Sequence, residues 1–153
     1  MVYHEKQYKN YCRCHALNNL IGDKLITTIE FDKLCDDYDE KNGFTKGFSR
    51  KSYTFYNYGG SNNIFGFILE MLDYKIGMNH YDFYKNKVIK GPNINTLGYI
   101  IYNTNHTYSV HIEKSSRKMY LIDSLKKNIT YVNNLSFLNR KNIGVIEVFN
   151  LIQ

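Results

Sequence analysis

The hydrophobic period of this chain changes partway along its length, from a helical repeat in the first half to strand-like runs in the second. From Cys12, the apolar residues Ala16, Leu17, Leu20 and Ile21 recur at helical spacing, with Asn10 placed as N-cap and Gly22 as the stop. Thr27 and Glu30 form a capping-box pattern ahead of Phe31, Leu34, Cys35 and Tyr38, and this second helix ends at Asn42-Gly43. Residues 44–60 are rich in Gly, Ser, Lys and Tyr without a period and read as a loop or irregular arm. A third helix, capped by Ser61 or Asn62, carries Ile64, Phe65, Ile68, Leu69 and Leu72 on one stripe, despite the cost of Gly66 inside it. Residues 97–103, 107–113, 118–123 and 143–149 then read as strands, rich in β-branched and aromatic side chains and separated by turn formers. Helices first and antiparallel strands later define an α+β fold class, with N-terminal helices packed on a C-terminal sheet.

The 153 residues suffice for one domain with a single large core, so the whole of 1–153 is expected to fold as a unit. Three cysteines, an odd number, fit no disulfide framework, and the start MVYHEKQYKN carries no apolar stretch behind a basic segment. These features predict an intracellular protein, in the cytoplasm or nucleus. No apolar run approaches the ~20 residues that span a bilayer, so no membrane partner is expected. The net charge of +6 suits nucleic acid in principle, but the fifteen tyrosines are scattered rather than set in a basic-aromatic motif, so nucleic acid is not the expected partner. The wealth of Lys, Asn, Ile and Tyr fits an A/T-rich coding sequence, as in some protists and large DNA viruses.

Ser115-Ser116 lies between two of the strand runs, and pairing Glu113 with Lys118 across that turn fixes a register. Ile112 then faces Met119, Val110 faces Leu121 and Tyr108 faces Asp123 on the side read as the core. His111 faces Tyr120, and Ser109 faces Ile122, on the other. His106 projects from the same side as Tyr108 and becomes a diagonal neighbour of Asp123, ~7–8 Å away between Cβ atoms. A one-residue slip would expose Val110, Ile112 and Tyr108, so the apolar pattern selects this register and excludes His111 as the partner.

Cys12, at the start of the first helix, meets unpaired backbone N–H groups and the positive end of the helix dipole, which favour thiolate. A nearby imidazolium from His106 would bring the thiol into the range of activated cysteines. Asp123 would orient that ring, while Gln7 and the Cys12 backbone N–H would donate to a developing oxyanion. Zinc ligation by Cys12, Cys14 and His15, completed by Cys35 or a distant histidine, is the competing chemistry, and its close C-x-C-H spacing lacks a second half. Cys35 reads as a small buried hydrophobe, His4 as an exposed residue of an N-terminal strand, His15 as a helix-orienting group, and Asn18 and Asn19 as partners of neighbouring backbone.

The segment His4-Glu5-Lys6-Gln7, followed by Cys12, His15 and Leu17-Asn18-Asn19-Leu20, resembles the N-terminal signature of the Josephin family, papain-like deubiquitinating cysteine proteases. His106 opening one strand, and Leu121-Ile122-Asp123-Ser124-Leu125 closing the next, resemble that family's catalytic histidine and its Asn/Asp-Ser segment. The resemblance implies a papain-like fold, with Gln7 as oxyanion donor, Cys12 as nucleophile, His106 as base and Asp123 as orienter. It further implies ubiquitin or ubiquitin chains as partner, an isopeptide or peptide bond as the target, and no cofactor. Thr107 follows His106 where the family usually has tryptophan, so the wall beside the base differs, and the arm is shorter and less helical. A ubiquitin-binding module without cleavage, and a general papain-like protease, are the alternative readings.

Overall fold

The computed structural model describes residues 2–8, 11–50, 64–81, 88–103 and 106–151. Three α-helices are followed by a six-stranded antiparallel sheet: α1 (Cys12–Ile21), α2 (Thr28–Asn42), α3 (Ile64–Met71), β1 (Ile76–Tyr81), β2 (Thr96–Tyr102), β3 (Thr107–Ile112), β4 (Met119–Ile122), β5 (Thr130–Val132) and β6 (Gly144–Asn150). The strand order is β1-β6-β2-β3-β4-β5. The α+β class therefore holds, as do four of the strands and the helix pattern. Among the described residues no helix is long and apolar enough to cross a membrane.

The helix ends follow local chemistry. Thr27 and Glu30 make the reciprocal capping box, and Gly43 closes α2 in the left-handed conformation at φ 70°. α1 ends at Gly22, φ 90°, whose N–H bonds the Asn18 carbonyl. A side chain at Gly22 would be strained by that φ and would also meet the His111 ring at 2.8 Å. α1 starts at Cys12 with Tyr11, not Asn10, at its N-cap; the Ser61 and Asn62 caps fall outside the described residues, as does 51–60 of the arm, and Phe48–Arg50 forms a short 3-10 turn.

The β3–β4 register is the one the apolar pattern selects: Ser109 faces Ile122, Val110 Leu121, His111 Tyr120 and Ile112 Met119. The side taken as the core is only one of two. Ile100, Tyr102, Ile146 and Val148 face the helices, while Tyr99, Ile101, Val110, Ile112 and Val145 face a second apolar layer with Leu135, Leu138 and Ile143. Both faces are buried, so α1 lies against the face carrying Ser109 and His111, which sequence reading had placed away from the core. Gly98 permits that close approach, because a Cβ there would sit 2.3 Å from the Val110 carbonyl oxygen and 2.9 Å from Leu20. His111 donates Nδ1–H to the Leu20 carbonyl at 2.7 Å, which stitches β3 to the last turn of α1.

Two strands escaped the sequence reading. β1, with Gly77 and Asn79 interrupting its apolar residues, is an edge strand paired to β6. β5 has three residues, two of them exposed, and pairs to β4 at the other edge. Neither carries the alternation that marks a half-buried strand.

Candidate active site

α1 packs along β3, with its last turn at His111 and its first residue, Cys12, at the end of the strand where Thr107 lies. Cys12 is the first residue of α1 and is 3% exposed. His106 immediately precedes β3 and Asp123 immediately follows β4, beyond the last paired residues, where strand alternation no longer fixes which way a side chain turns. The His106 backbone is pinned by a reciprocal turn: its N–H donates to Asn103 Oδ1 at 2.8 Å, and its carbonyl accepts from Asn103 N–H at 3.0 Å.

His106 Nε2–H donates to Asp123 Oδ1 at 2.6 Å. The same carboxylate oxygen accepts the Leu125 N–H at 2.9 Å, which fixes its orientation. With Nε2 committed to Asp123, Nδ1 is the ring nitrogen left to face the Cys12 thiol, and the structure pairs the His106 ring with that thiol. Tyr108 stacks beside the imidazole with ring centroids 5.9 Å apart and planes 21° from parallel. Tyr108 is thus the wall beside the ring, while Thr107 is fully buried and its backbone bonds the Cys12 thiol.

Electrostatics separate the three buried cysteines. Burial pushes Cys14 and Cys35 up to about 12, and both are thiols at neutral pH. Burial also works against a Cys12 thiolate, but the hydrogen bonds from His106 and the Thr107 backbone and the charges of His106 and Arg13 outweigh it, and its pKa falls. Burial depresses the imidazolium of His106, yet the hydrogen bonds to Asp123 and Cys12 raise its pKa to about 9. For Asp123, burial is outweighed by the bonds from His106 and Leu125, and its pKa is lowered. The lowered Cys12 and Asp123 and the raised His106 all favour the thiolate, imidazolium and carboxylate forms, and the protons belong to the set rather than to any one member.

Gln7 sits on an N-terminal arm, residues 2–8, that has no regular secondary structure. Its N–H donates to the Ser124 carbonyl at 2.8 Å, and the Ser124 hydroxyl donates to Gln7 Oε1 at 3.1 Å. In this orientation Gln7 Oε1 is an acceptor, and the amide's donor is Nε2. Arm and hairpin are further tied by His4, whose Nε2–H donates to the Asp123 carbonyl at 3.1 Å. His4 is therefore a half-buried contact of the Asp123 turn, not an exposed strand residue.

Glu5 anchors the arm to α1. Its carboxylate accepts His15 Nδ1–H at 2.6 Å and Asn18 Nδ2–H at 3.1 and 3.0 Å, and its backbone N–H donates to Asn19 Oδ1 at 2.7 Å. His15 Nε2 in turn accepts the Tyr8 N–H at 2.9 Å. Asn18 also bonds the backbone of Leu25 and Ile26. With both ring nitrogens of His15 engaged and the Cys14 sulfur directed at the Ile26 carbonyl, the zinc reading finds no ligand set among the described residues.

Sequence reading placed Gln7, Cys12, His106 and Asp123 as candidates, and the structure brings all four elements to one end of the sheet. It gave no role to Glu5, Ser124 or Tyr108. Glu5 and Ser124 both had a signal, since Glu5 stands in the His4-Glu5-Lys6-Gln7 segment and Ser124 neighbours Asp123, but neither segment says what its side chain holds. An open cavity of about 340 Å³ adjoins Asp123, lined by Leu121, Lys126, Lys127, Asn128 and Thr130. A larger one of about 570 Å³ lies by the C-terminal end of α1, among Leu20, Ile21, His111 and Arg117, away from Cys12.

For an oxyanion donor, which acts in the transition state, replacing Gln7 with Ala is expected to lower kcat by ~10²–10³ with KM little changed. Gln7→Glu, which replaces the N–H donor by a charged acceptor, should be at least as damaging. Steady-state kinetics on the two variants check this. A scan against protein-family models found no match to this chain, and neither did a search of curated protein sequences.

Proposed function

We propose that this protein is a papain-like cysteine protease of the Josephin type, which hydrolyses isopeptide or peptide bonds to ubiquitin without a cofactor and works inside cells. The observation that carries the reading is the Cys12–His106–Asp123 array: a thiol at a helix N-terminus facing a ring held at 2.6 Å by a carboxylate. The motif order, Gln7 and Cys12 early and His106 and Asp123 late, supports the family and hence ubiquitin.

In this mechanism the Cys12 thiolate attacks the carbonyl carbon of the scissile bond, and the oxygen becomes an anion received by Gln7 Nε2–H and the Cys12 N–H. Collapse breaks the C–N bond, and the His106 imidazolium gives its proton to the departing amine. Neutral His106 then takes a proton from water, whose oxygen attacks the thioester. Release of the acid returns the thiolate and imidazolium. Asp123 keeps the ring in register throughout and stabilises its cationic form.

The rate against pH follows from the same charges. Below the Cys12 thiol's pKa, which the His106 and Thr107 hydrogen bonds lower, the nucleophile is protonated and kcat/KM falls with pH. Above about 9 the imidazolium loses the proton that the leaving amine needs, and the rate falls again. A bell-shaped profile with its alkaline limb near 9 is expected from initial rates.

Ubiquitin carrying a C-terminal electrophile tests the substrate assignment. Covalent labelling at Cys12, lost in Cys12→Ala, supports the reading. Non-covalent binding without labelling identifies a binding module, and equal reactivity with unrelated electrophilic peptides identifies a general protease.

A further inference from the structure

Arg13 directly follows the nucleophile and is 2% exposed, heading the largest fully buried side chains of the protein. An aliphatic side chain of similar volume would fill this space without stripping water from a charge. The cation is held by two other elements. Its guanidinium lies over the Phe31 ring of α2, 5.2 Å from the centroid, and Nη2 donates to the Ser49 carbonyl at 2.7 Å. Ser49 in turn donates its N–H, at 3.2 and 3.1 Å, and its hydroxyl to Asp39, a carboxylate only 1% exposed. Buried cation and buried anion are thus linked through one residue, and the link crosses from α1 to α2 and the 48–50 turn.

The first turn of α1 has need of such an anchor. Tyr11 at its N-cap makes no side-chain capping bond to it. Three acidic groups of α2 hold partners: Asp32 accepts the Tyr11 hydroxyl at 2.6 Å, Asp36 pairs with Arg50 at 2.9 and 2.5 Å, and Asp39 holds Ser49. On the sheet side, Cys12 faces His106, backed by Asp123.

We infer that Arg13 is a positioning residue for the nucleophile: its buried guanidinium, anchored on Ser49 and Phe31, ties the first turn of α1 to α2 and the 48–50 turn and fixes a cation one residue from Cys12. The inference rests on Cys12 being the nucleophile proposed above. Burial opposes the thiolate most; His106 and the Thr107 backbone lower the thiol's pKa ahead of Arg13, so the Arg13 effect is secondary in size.

The test uses the full chain and no ubiquitin. Arg13→Met keeps bulk and removes charge, and Arg13→Lys keeps charge and removes the planar fork. The rate of Cys12 alkylation by iodoacetamide is followed against pH, with peptide mass spectrometry locating the adduct and thermal melting confirming the fold. Arg13→Met is expected to move the midpoint up by about half to one unit, slowing alkylation ~3- to 10-fold on the acid limb at a similar plateau. Arg13→Lys should restore most of that shift. If Arg13→Met does not fold, Arg13→Gln, which keeps an N–H for Ser49, carries the same charge test. An unchanged midpoint in a folded charge-removing variant, or an equal shift in Arg13→Lys, overturns the inference. Because alkylation reads the thiolate alone, a normal midpoint with intact ubiquitin labelling removes only the Arg13 role, and lost labelling with the shift present removes only the substrate.

Discussion

Cys12→Ala is expected to abolish the proposed hydrolysis of a ubiquitin C-terminal conjugate, by at least ~10⁴-fold, while leaving the protein folded. The rate loss is large because no other thiol can substitute: Cys14 and Cys35 are buried and pushed up to about 12, and neither is paired with a base. Water at the same site lacks the attached nucleophile, so only oxyanion stabilisation and binding remain. Stability changes little. The substitution removes one sulfur from the end of a helix otherwise buried along its length, and His106 keeps Asp123 as partner. A loss of ~1 kcal/mol would move Tm by only ~2–4 °C for a chain this size. A fluorogenic ubiquitin conjugate and a thermal melt check both halves.

His106→Gln is expected to lower kcat/KM by ~10³–10⁴ through two routes at once. The leaving amine loses its proton donor, an effect of general acid catalysis worth ~10²–10⁴. The Cys12 thiol also loses the hydrogen bond and charge that offset its burial, so its pKa rises and thiolate at neutral pH becomes scarce. The second route has its own signature: iodoacetamide alkylation of Cys12 slows more than tenfold at pH 7 and recovers as pH rises past the new thiol value. Equal alkylation of wild type and variant at pH 7 would show that His106 does not set the thiol's charge. Asp123, half-buried, keeps the Leu125 N–H but loses the ring, so some loss of stability accompanies the change.

The hairpin that carries His106 and Asp123 was legible because Tyr108, Val110 and Ile112 alternate cleanly and tolerate only one register. Which helices cover which face was not. Ser109 and His111 are polar and read as outward, yet they lie under α1, where glycine at 98 admits Leu20 and the His111 ring finds the Leu20 carbonyl. Alternation reports burial contrast between faces, and a sheet covered on both sides has little contrast to report. The edges were hidden for a related reason. β1 carries Gly and Asn among its apolar residues, and β5 is three residues long; pairing to β6 and β4 holds them more than their own pattern does.

At the site, residue types announced chemistry but not support. Cys12 at a helix start and His106 before a strand are local statements, and they were readable as such. The holding of Gln7 by Ser124 spans the chain from the arm to the β4 end, and the clamp of Glu5 on His15, Asn18 and Asn19 joins an irregular segment to a helix. No periodicity encodes contacts of that kind. Arg13 stood in the motif as an unremarked neighbour of Cys12, and only its burial and its bond to Ser49 gave it meaning.

The proposed mechanism requires Cys12 to be a thiolate beside a protonated His106 in the resting protein. Thiolate absorbance near 240 nm, taken as the difference between wild type and Cys12→Ala across pH 4–10, measures it directly. A Cys12 thiolate signal is expected at a pH below that of an ordinary thiol, and so already present at pH 7. A difference spectrum that is flat at neutral pH and rises only above pH 8.5 would contradict it.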